Sequence, residues 1–283
     1  MIELFKAFLF GIVEGITEWL PISSTGHMIL LDQFVKLDVS NSFYSMFEVV
    51  IQLGAIMAVV VIYWNRIWPF KISHATGFSA PRGIWRFIDK DTFIMWIKIF
   101  IACLPAGIIG VKFNDLFEKL FYNPTCVAIA LIVFGIAFIW IETIHKGHRA
   151  HINSIAELSY YTVILIGFFQ LIAAVFPGTS RSGATIVGAL LLGVSRTTAA
   201  EFTFFLAIPV MFGAALFKIV QFGFVFTSTE VVIMVVGLIT AFLSSIVVIK
   251  FLMKYIKSHD FKIFGWYRII LGILVLVYFL VIK

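Results

Sequence analysis

Six long apolar stretches, at about 43–64, 92–111, 124–142, 198–220, 229–253 and 264–282, leave this chain little choice of environment. Each is close to the roughly 20 residues that an α-helix needs to cross about 30 Å of hydrocarbon. Lipid offers the backbone no hydrogen-bond partner, so only helices or closed barrels span it, and runs of this length are helical. Hydrophobic residues make up 61% of the sequence and charged residues 13%, with a mean hydropathy of +1.07, well outside soluble averages. The expected class is an all-α polytopic membrane protein. Cys103 and Cys126 fall inside apolar segments and read as buried thiols, not a disulfide. The first apolar stretch holds Glu14, Glu18 and Pro21 in place of a small-residue cleavage site, so it reads as structure and not as a signal peptide.

Two further apolar stretches are interrupted. The first reads Gly11-Ile-Val-Glu14-Gly-Ile-Thr-Glu18-Trp-Leu-Pro21-Ile-Ser23-Ser24-Thr25-Gly26-His27. Glu14 and Glu18 stand four residues apart, which puts both carboxylates on one helix face. Pro21 then breaks the helix, because it lacks an N–H and restricts the residue before it. The pieces at 3–20 and 24–35 therefore read as a re-entrant hairpin, residues 1–35, entering and leaving on one side. Carboxylates at membrane depth are costly and mark functional sites. The plainer alternative, a capped break with both glutamates at a water interface, leaves Ser23, Ser24 and His27 without a task.

The second interrupted pair occupies 158–176 and 182–193 and contains Gln170, Ala174 and the run Pro177-Gly178-Thr179-Ser180-Arg181-Ser182-Gly183-Ala184-Thr185. At a constant offset of 156, Gln170 matches Glu14, Ala174 matches Glu18, Pro177 matches Pro21 and Ser180 matches Ser24. Glu48 and Glu201 correspond at an offset of 153. An internal repeat is the economical explanation, with halves at 1–142 and 158–283 and hairpins at 1–35 and 158–193. Three spans separate the hairpins, an odd number, so the copies take opposite orientations. The reading is an inverted-topology repeat of about six transmembrane helices plus two re-entrant helical hairpins, whose breaks meet near the bilayer midplane.

The net charge of +6 is a matter of topology, not of nucleic acid. One side of the membrane receives Arg66, Lys71, Arg82, Arg86, Lys90, Lys146, Arg149, Lys254, Lys257 and Lys262. The other receives chiefly Lys36, Lys112, Lys119 and Lys283. The richer side is expected in the cytoplasm, with both termini and the opening of the first hairpin facing outward. The loop at 65–91 reads as interfacial. His145, His148 and His151 are spaced like a zinc tract, but they sit in a basic loop with no second ligand cluster.

The two breaks carry opposite chemistry. Pro-Gly-Thr-Ser-Arg-Ser-Gly frees backbone N–H groups at a helix start, which suits anions, and Arg181 adds a planar fork for phosphate oxygens. The first break offers two carboxylates and an imidazole. Hard carboxylate oxygens suit Mg²⁺ or Ca²⁺, while His27 is a nucleophile or acid–base candidate near neutral pH. A turn whose arginine merely pairs with Glu14 or Glu18 is the structural alternative. Glu48, Gln52 (one turn after Glu48) and Glu201 are expected to support the cavity.

Both motifs resemble the two signature motifs of bacterial undecaprenyl-pyrophosphate phosphatases of the bacitracin-resistance type, and the resemblance covers essentially the whole chain. It implies hydrolysis of undecaprenyl diphosphate to the monophosphate and phosphate, which recycles the carrier lipid for peptidoglycan synthesis and denies bacitracin its target. By this similarity Glu14 and Glu18 hold the divalent cation, Arg181 the diphosphate, and Ser24 and His27 lie at the reacting phosphorus. Ser23, Thr25, Gly26, Thr179, Ser180, Ser182 and Thr185 complete the substrate cradle. Whether His27, Ser24 or a water attacks is left open. The expected partners are the lipid substrate, surrounding membrane lipids and, allowing for self-association, a second copy of the chain; nucleic acid is not among them. The expected location is the bacterial cytoplasmic membrane. A lipid or anion transporter, or flippase, is the competing class, since inverted repeats with broken helices also build transporters.

Overall fold

A computed structural model describes residues 1–70, 86–110, 112–147 and 149–282. Among these residues, twelve α-helices run in the order α1 (Ile2–Thr17), α2 (Ser24–Phe34), α3 (Asn41–Ile62), α4 (Trp64–Ile67), α5 (Lys90–Pro105), α6 (Asn114–Phe121), α7 (Pro124–Ile144), α8 (Tyr160–Val175), α9 (Arg181–Leu191), α10 (Arg196–Phe222), α11 (Ser228–Tyr255) and α12 (Lys262–Val277). Six of them, α3, α5 with its π-helical extension to Gly110, α7, α10, α11 and α12 with the following turn, are long and apolar enough to cross a membrane. These are the six expected spans, and the chain is a multi-pass membrane protein. The short amphipathic helix α6 was not foreseen. Of the loop expected at 65–91, residues 71–85 lie outside the described residues. Its described ends form α4 and an isolated bridge between Phe70 and Ile88.

The remaining apolar helices form the two hairpins, α1–α2 and α8–α9. At 16 residues, α1 and α8 are each about 24 Å long, and at 11 residues α2 and α9 are shorter still, so none spans alone. Helix neighbours exchange pairwise between the halves. Helix α1 packs on α11 as α8 packs on α5, α11 lies against α3 as α5 lies against α10, and α3–α10 and α7–α12 pair with their own counterparts. That pattern is what a two-fold-related repeat would generate.

The second copy departs from the sequence alignment by one residue. Ser23, not Ser24, caps α2 by accepting a hydrogen bond from the Gly26 N–H at 3.3 Å, whereas Ser180 caps α9 through the Gly183 N–H at 3.1 Å. Both cap serines have positive φ, 76° and 66°, and they are the only non-glycine residues among those described that do. The turn after Pro177 carries one extra residue, so the structural equivalent of Ser24 is Arg181 and that of Gly26 is Gly183.

Packing inside the bundle relies on close backbone approach, since hydrocarbon provides no hydrophobic drive between helices. At the α7–α12 crossing, a Cβ placed on Gly135 would lie 2.7 Å from the Gly265 carbonyl oxygen, and one on Gly265 the same distance from the Gly135 oxygen. The largest core cluster gathers Trp19, Phe138, Phe202, Phe204, Phe205 and Phe261 around the hairpins, with the Trp19 and Phe204 rings edge-to-face at 5.1 Å. Phe100, Ile136, Val247, Phe251 and Ile273 point outward toward lipid. Cys103 and Cys126 are half-buried free thiols. Replacing Gly135 by leucine is expected to destabilise the α7–α12 pair by about 1–3 kcal/mol, as overpacked cores generally do. Thermal unfolding in detergent reads this as a lowered Tm, and an unchanged Tm would show that the crossing can spread without cost.

Candidate active site

Ser24 and Arg181 are the first residues of the two half-helices, and both reach one carboxylate. The Ser24 Oγ donates to Glu18 Oε2 at 2.7 Å, and the Arg181 Nη2 donates to Glu18 Oε1 at 2.9 Å. A second Arg181 nitrogen donates to the Thr203 carbonyl at 3.3 Å. The Ser182 hydroxyl donates to the Glu18 carbonyl at 3.0 Å, tying α9 to the end of α1. Thr185 donates to the Arg181 carbonyl and pairs with Thr203, so it braces α9 from within. Glu18 is 7% exposed and Glu14 1%. The Glu14 carboxyl sits beside that of Glu18, within electrostatic reach of Glu48 and Arg181.

Ser24 opens onto a cavity of about 410 Å³ that is also lined by Glu14, Thr25, Ser45, Glu48, Gln52, Tyr122, Pro177 and Lys218. Glu48 accepts a hydrogen bond from the Tyr44 hydroxyl at 3.0 Å. Among the described residues, five buried side-chain polar atoms have no hydrogen-bond partner within the protein: Glu14 Oε1, Trp19 Nε1, both amide atoms of Gln170 and Thr179 Oγ1. All belong to the two interrupted segments, and the repeat-related pair Glu14 and Gln170 supplies three of the five. Buried polar groups are rarely left unmatched, so water, an ion or a ligand meets these atoms.

Not every expected residue joins this cavity. His27 turns to a separate recess, lined by Val13, Ile16, Thr17, Leu20, Ile22, Ile263, Phe264 and Tyr267. Its Nδ1 is 2.7 Å from the Ser23 carbonyl oxygen, and its Nε2 is 2.7 Å from the Tyr267 hydroxyl, with the two rings stacked at 5.6 Å. The imidazole therefore holds the backbone of the capping serine just before Ser24. Glu201 was expected to support the cavity as Glu48 does, but it pairs with Arg66 at 2.6 Å. Glu48 of α3 lines this cavity and Glu201 of α10 does not. Of the histidine tract, His148 lies outside the described residues. Among the described residues, no three His, Cys, Asp or Glu side chains converge as a metal site.

Two cations escaped the sequence reading. Lys218 lines the cavity near Glu48. Arg268 of α12 lies fully buried between the two turns and donates to the carbonyls of Pro21 at 3.2 Å, Gly178 at 3.0 Å and Thr179 at 2.6 Å. The signal for Arg268 was available: an arginine inside a spanning helix is costly by the same rule that singled out Glu14 and Glu18.

Residues 7–274 match the family of bacitracin resistance protein BacA. This chain belongs to that family. It is 61% identical over 281 residues to undecaprenyl-diphosphatase 1 of Clostridium acetobutylicum, covering 99% of both chains. It is 60% identical over 279 residues to the undecaprenyl-diphosphatase of Desulfitobacterium hafniense, covering 99% of this chain and 97% of that one. A third relative, an undecaprenyl-diphosphatase of Enterococcus faecalis, is 54% identical over 275 residues, covering 97% of this chain and 96% of the relative.

The cavity geometry is open to direct test once Cys103 and Cys126 are replaced. Cysteine at Thr25, which lines the cavity, is expected to react with a water-soluble thiol reagent in detergent. Cysteine at Ser182, 1% exposed, is expected to stay unlabelled. Equal labelling of the two positions would contradict the arrangement.

Proposed function

We propose that the chain is an undecaprenyl-diphosphate phosphatase, a membrane hydrolase that cleaves the phosphoric anhydride of the C55 lipid diphosphate to leave the monophosphate and inorganic phosphate. The observation that carries the reading is the Ser24–Glu18–Arg181 linkage, which joins the first turns of α2 and α9 beside a membrane-embedded cavity. Membership of the BacA family and the names of the relatives favour hydrolysis over transport.

Ser24 is the nucleophile in this reading. Its Oγ attacks the terminal phosphorus, the hydroxyl proton passes to Glu18, and the bond from that phosphorus to the bridging oxygen breaks to release undecaprenyl monophosphate. Water then cleaves the Oγ–P bond, releasing phosphate and restoring the hydroxyl. Arg181 binds the diphosphate and stabilises charge on the transferring phosphoryl group. Ser23, Gly26, Thr179, Ser180, Ser182 and Thr185 shape the two helix starts, and Thr25 lines the approach. His27 acts through the Ser23 carbonyl to hold Ser24 in place.

Glu14 and Glu18 fit a divalent cation, Mg²⁺ or Ca²⁺. Glu14 offers a buried oxygen without a partner beside a second carboxylate, and both are hard ligands. Two protein carboxylates with phosphate and water oxygens make an ordinary Mg²⁺ environment. When bound, the ion neutralises diphosphate charge. Glu48 and Gln52 border this position from α3. The membrane is the bacterial cytoplasmic membrane, and the cavity faces the periplasm or exterior. The basis is that the cavity lies at the end of the bundle with fewer basic loop residues. Labelling of Thr25→Cys by an impermeant reagent from outside intact cells tests that side. A homodimer is compatible with the broad lipid-facing surface.

Purified protein is expected to release phosphate from undecaprenyl diphosphate, and chelation to abolish the release. Glu14→Gln is expected to need a higher cation concentration for half-maximal rate. Full activity in chelator would remove the cation from the account. Ser24→Ala and Glu18→Gln should each lower kcat by about 10²–10⁴-fold. Arg181→Ala should raise KM and lower kcat together, with Arg181→Lys restoring only part because lysine lacks the fork. His27→Ala should lower turnover while leaving KM near wild type. Wild-type turnover in Ser24→Ala would exclude the serine as nucleophile.

A further inference from the structure

Among the described residues, Arg268 has no acidic partner. Its exposure is 0%, and its donors meet only main-chain carbonyls: Thr179 at 2.6 Å, Gly178 at 3.0 Å, Pro21 at 3.2 Å and, more distantly, Leu131 at 3.5 Å. One face stands 5.7 Å from the Phe134 ring. Among the described residues, the carboxylates in ion pairs belong to Lys6, Arg66, Arg181 and Arg196, and none belongs to Arg268. Carbonyl dipoles satisfy its donors without cancelling its charge. A buried, unneutralised guanidinium is costly, and such a charge persists where something pairs with it in function.

Its position says what that something is. The three nearest carbonyls come from both breaks, one from the turn before α2 and two from the turn before α9. The fork is thus a strut between them, and the remaining contacts between α2 and α9 are few. Gly183, in the first turn of α9, makes room for it, since a Cβ there would lie 2.6 Å from Arg268 Nη1. The peptide from Thr179 to Ser180 is trans, so fixing its carbonyl on Arg268 turns the Ser180 N–H to the opposite side. Two helix N-termini, each with partial positive charge, converge above this cation, while Arg181 is already paired with Glu18.

We propose that Arg268 is a positioning residue for diphosphate binding, which sets the separation of the two helix starts and supplies the uncancelled positive charge that the diphosphate neutralises. The inference rests on the phosphatase reading above. It divides into two separable parts: charge governs affinity, and the fork governs alignment and so turnover.

The test compares purified wild-type protein with Arg268→Lys and Arg268→Gln, measuring kcat and KM on undecaprenyl diphosphate and the inhibition constant of inorganic pyrophosphate. Arg268→Gln is expected to raise KM and the pyrophosphate constant about tenfold or more, since it removes the charge. Arg268→Lys is expected to return the pyrophosphate constant to within about threefold of wild type while kcat stays low, because charge returns and the fork does not. A purely structural role would make Lys and Gln fail alike in both measurements, and that result overturns the proposal. So does an unchanged pyrophosphate constant in Arg268→Gln. If the Gln variant does not fold, the Lys variant decides: a pyrophosphate constant raised about tenfold contradicts the charge, and near-wild-type affinity with reduced kcat supports it. Each overturning result leaves wild-type phosphate release, and with it the proposed function, intact.

Discussion

Hydrocarbon cannot hydrogen-bond a peptide, and every feature of this site follows from how the chain breaks two helices at membrane depth under that constraint. Each break frees carbonyls on one side and N–H groups on the other. The N–H side of each is met in part by a serine that adopts positive φ to cap its helix, Ser23 in one copy and Ser180 in the other. Carbonyls of both turns, Pro21 in one and Gly178 and Thr179 in the other, are met by Arg268, one side chain serving two turns. Backbone strain at Ser23 and Ser180 is tolerated because the surrounding helices leave the turns no alternative, a pattern common where strain serves function.

The two copies then diverge in a complementary way. The two capping serines correspond, yet the first residue of α2 is Ser24 and the first residue of α9 is Arg181. One supplies a hydroxyl and the other a fixed cation, and both are held on Glu18. The partner of Glu14 in the repeat is Gln170, which keeps the shape and removes the charge. The half with α1 and α2 thus carries the two acids, and the half with α8 and α9 carries the arginine paired to one of them.

Much of this was legible in the chain because membrane physics writes large: span lengths, the two prolines, and carboxylates in apolar helices each carry a cost that few structures can absorb. What was hidden depends on direction, not on composition. The extra residue between Pro177 and Ser180 shifts the match from Ser24 to Ser23, a slip that an ungapped alignment cannot express. His27 stands three residues from Ser24, and the 60° between them on a helix is enough to turn it from the cavity to Tyr267. Glu201 shares a repeat position with Glu48, but an exposed Arg66 captures it. Arg268 carries the same signal as Glu14 and Glu18, a charge inside a spanning stretch, but the sequence does not say which turns it joins.

The central claim is that the substrate diphosphate lies between the starts of α2 and α9. The most direct measurement is a structure of the protein with a non-hydrolysable prenyl diphosphonate. The account predicts both phosphonate groups beside Ser24 and Arg181, with the prenyl chain leaving into lipid. Diphosphonate density in the basic recess near Arg149, Arg196 and Lys257, with the Ser24–Glu18–Arg181 contacts unaltered, would contradict it.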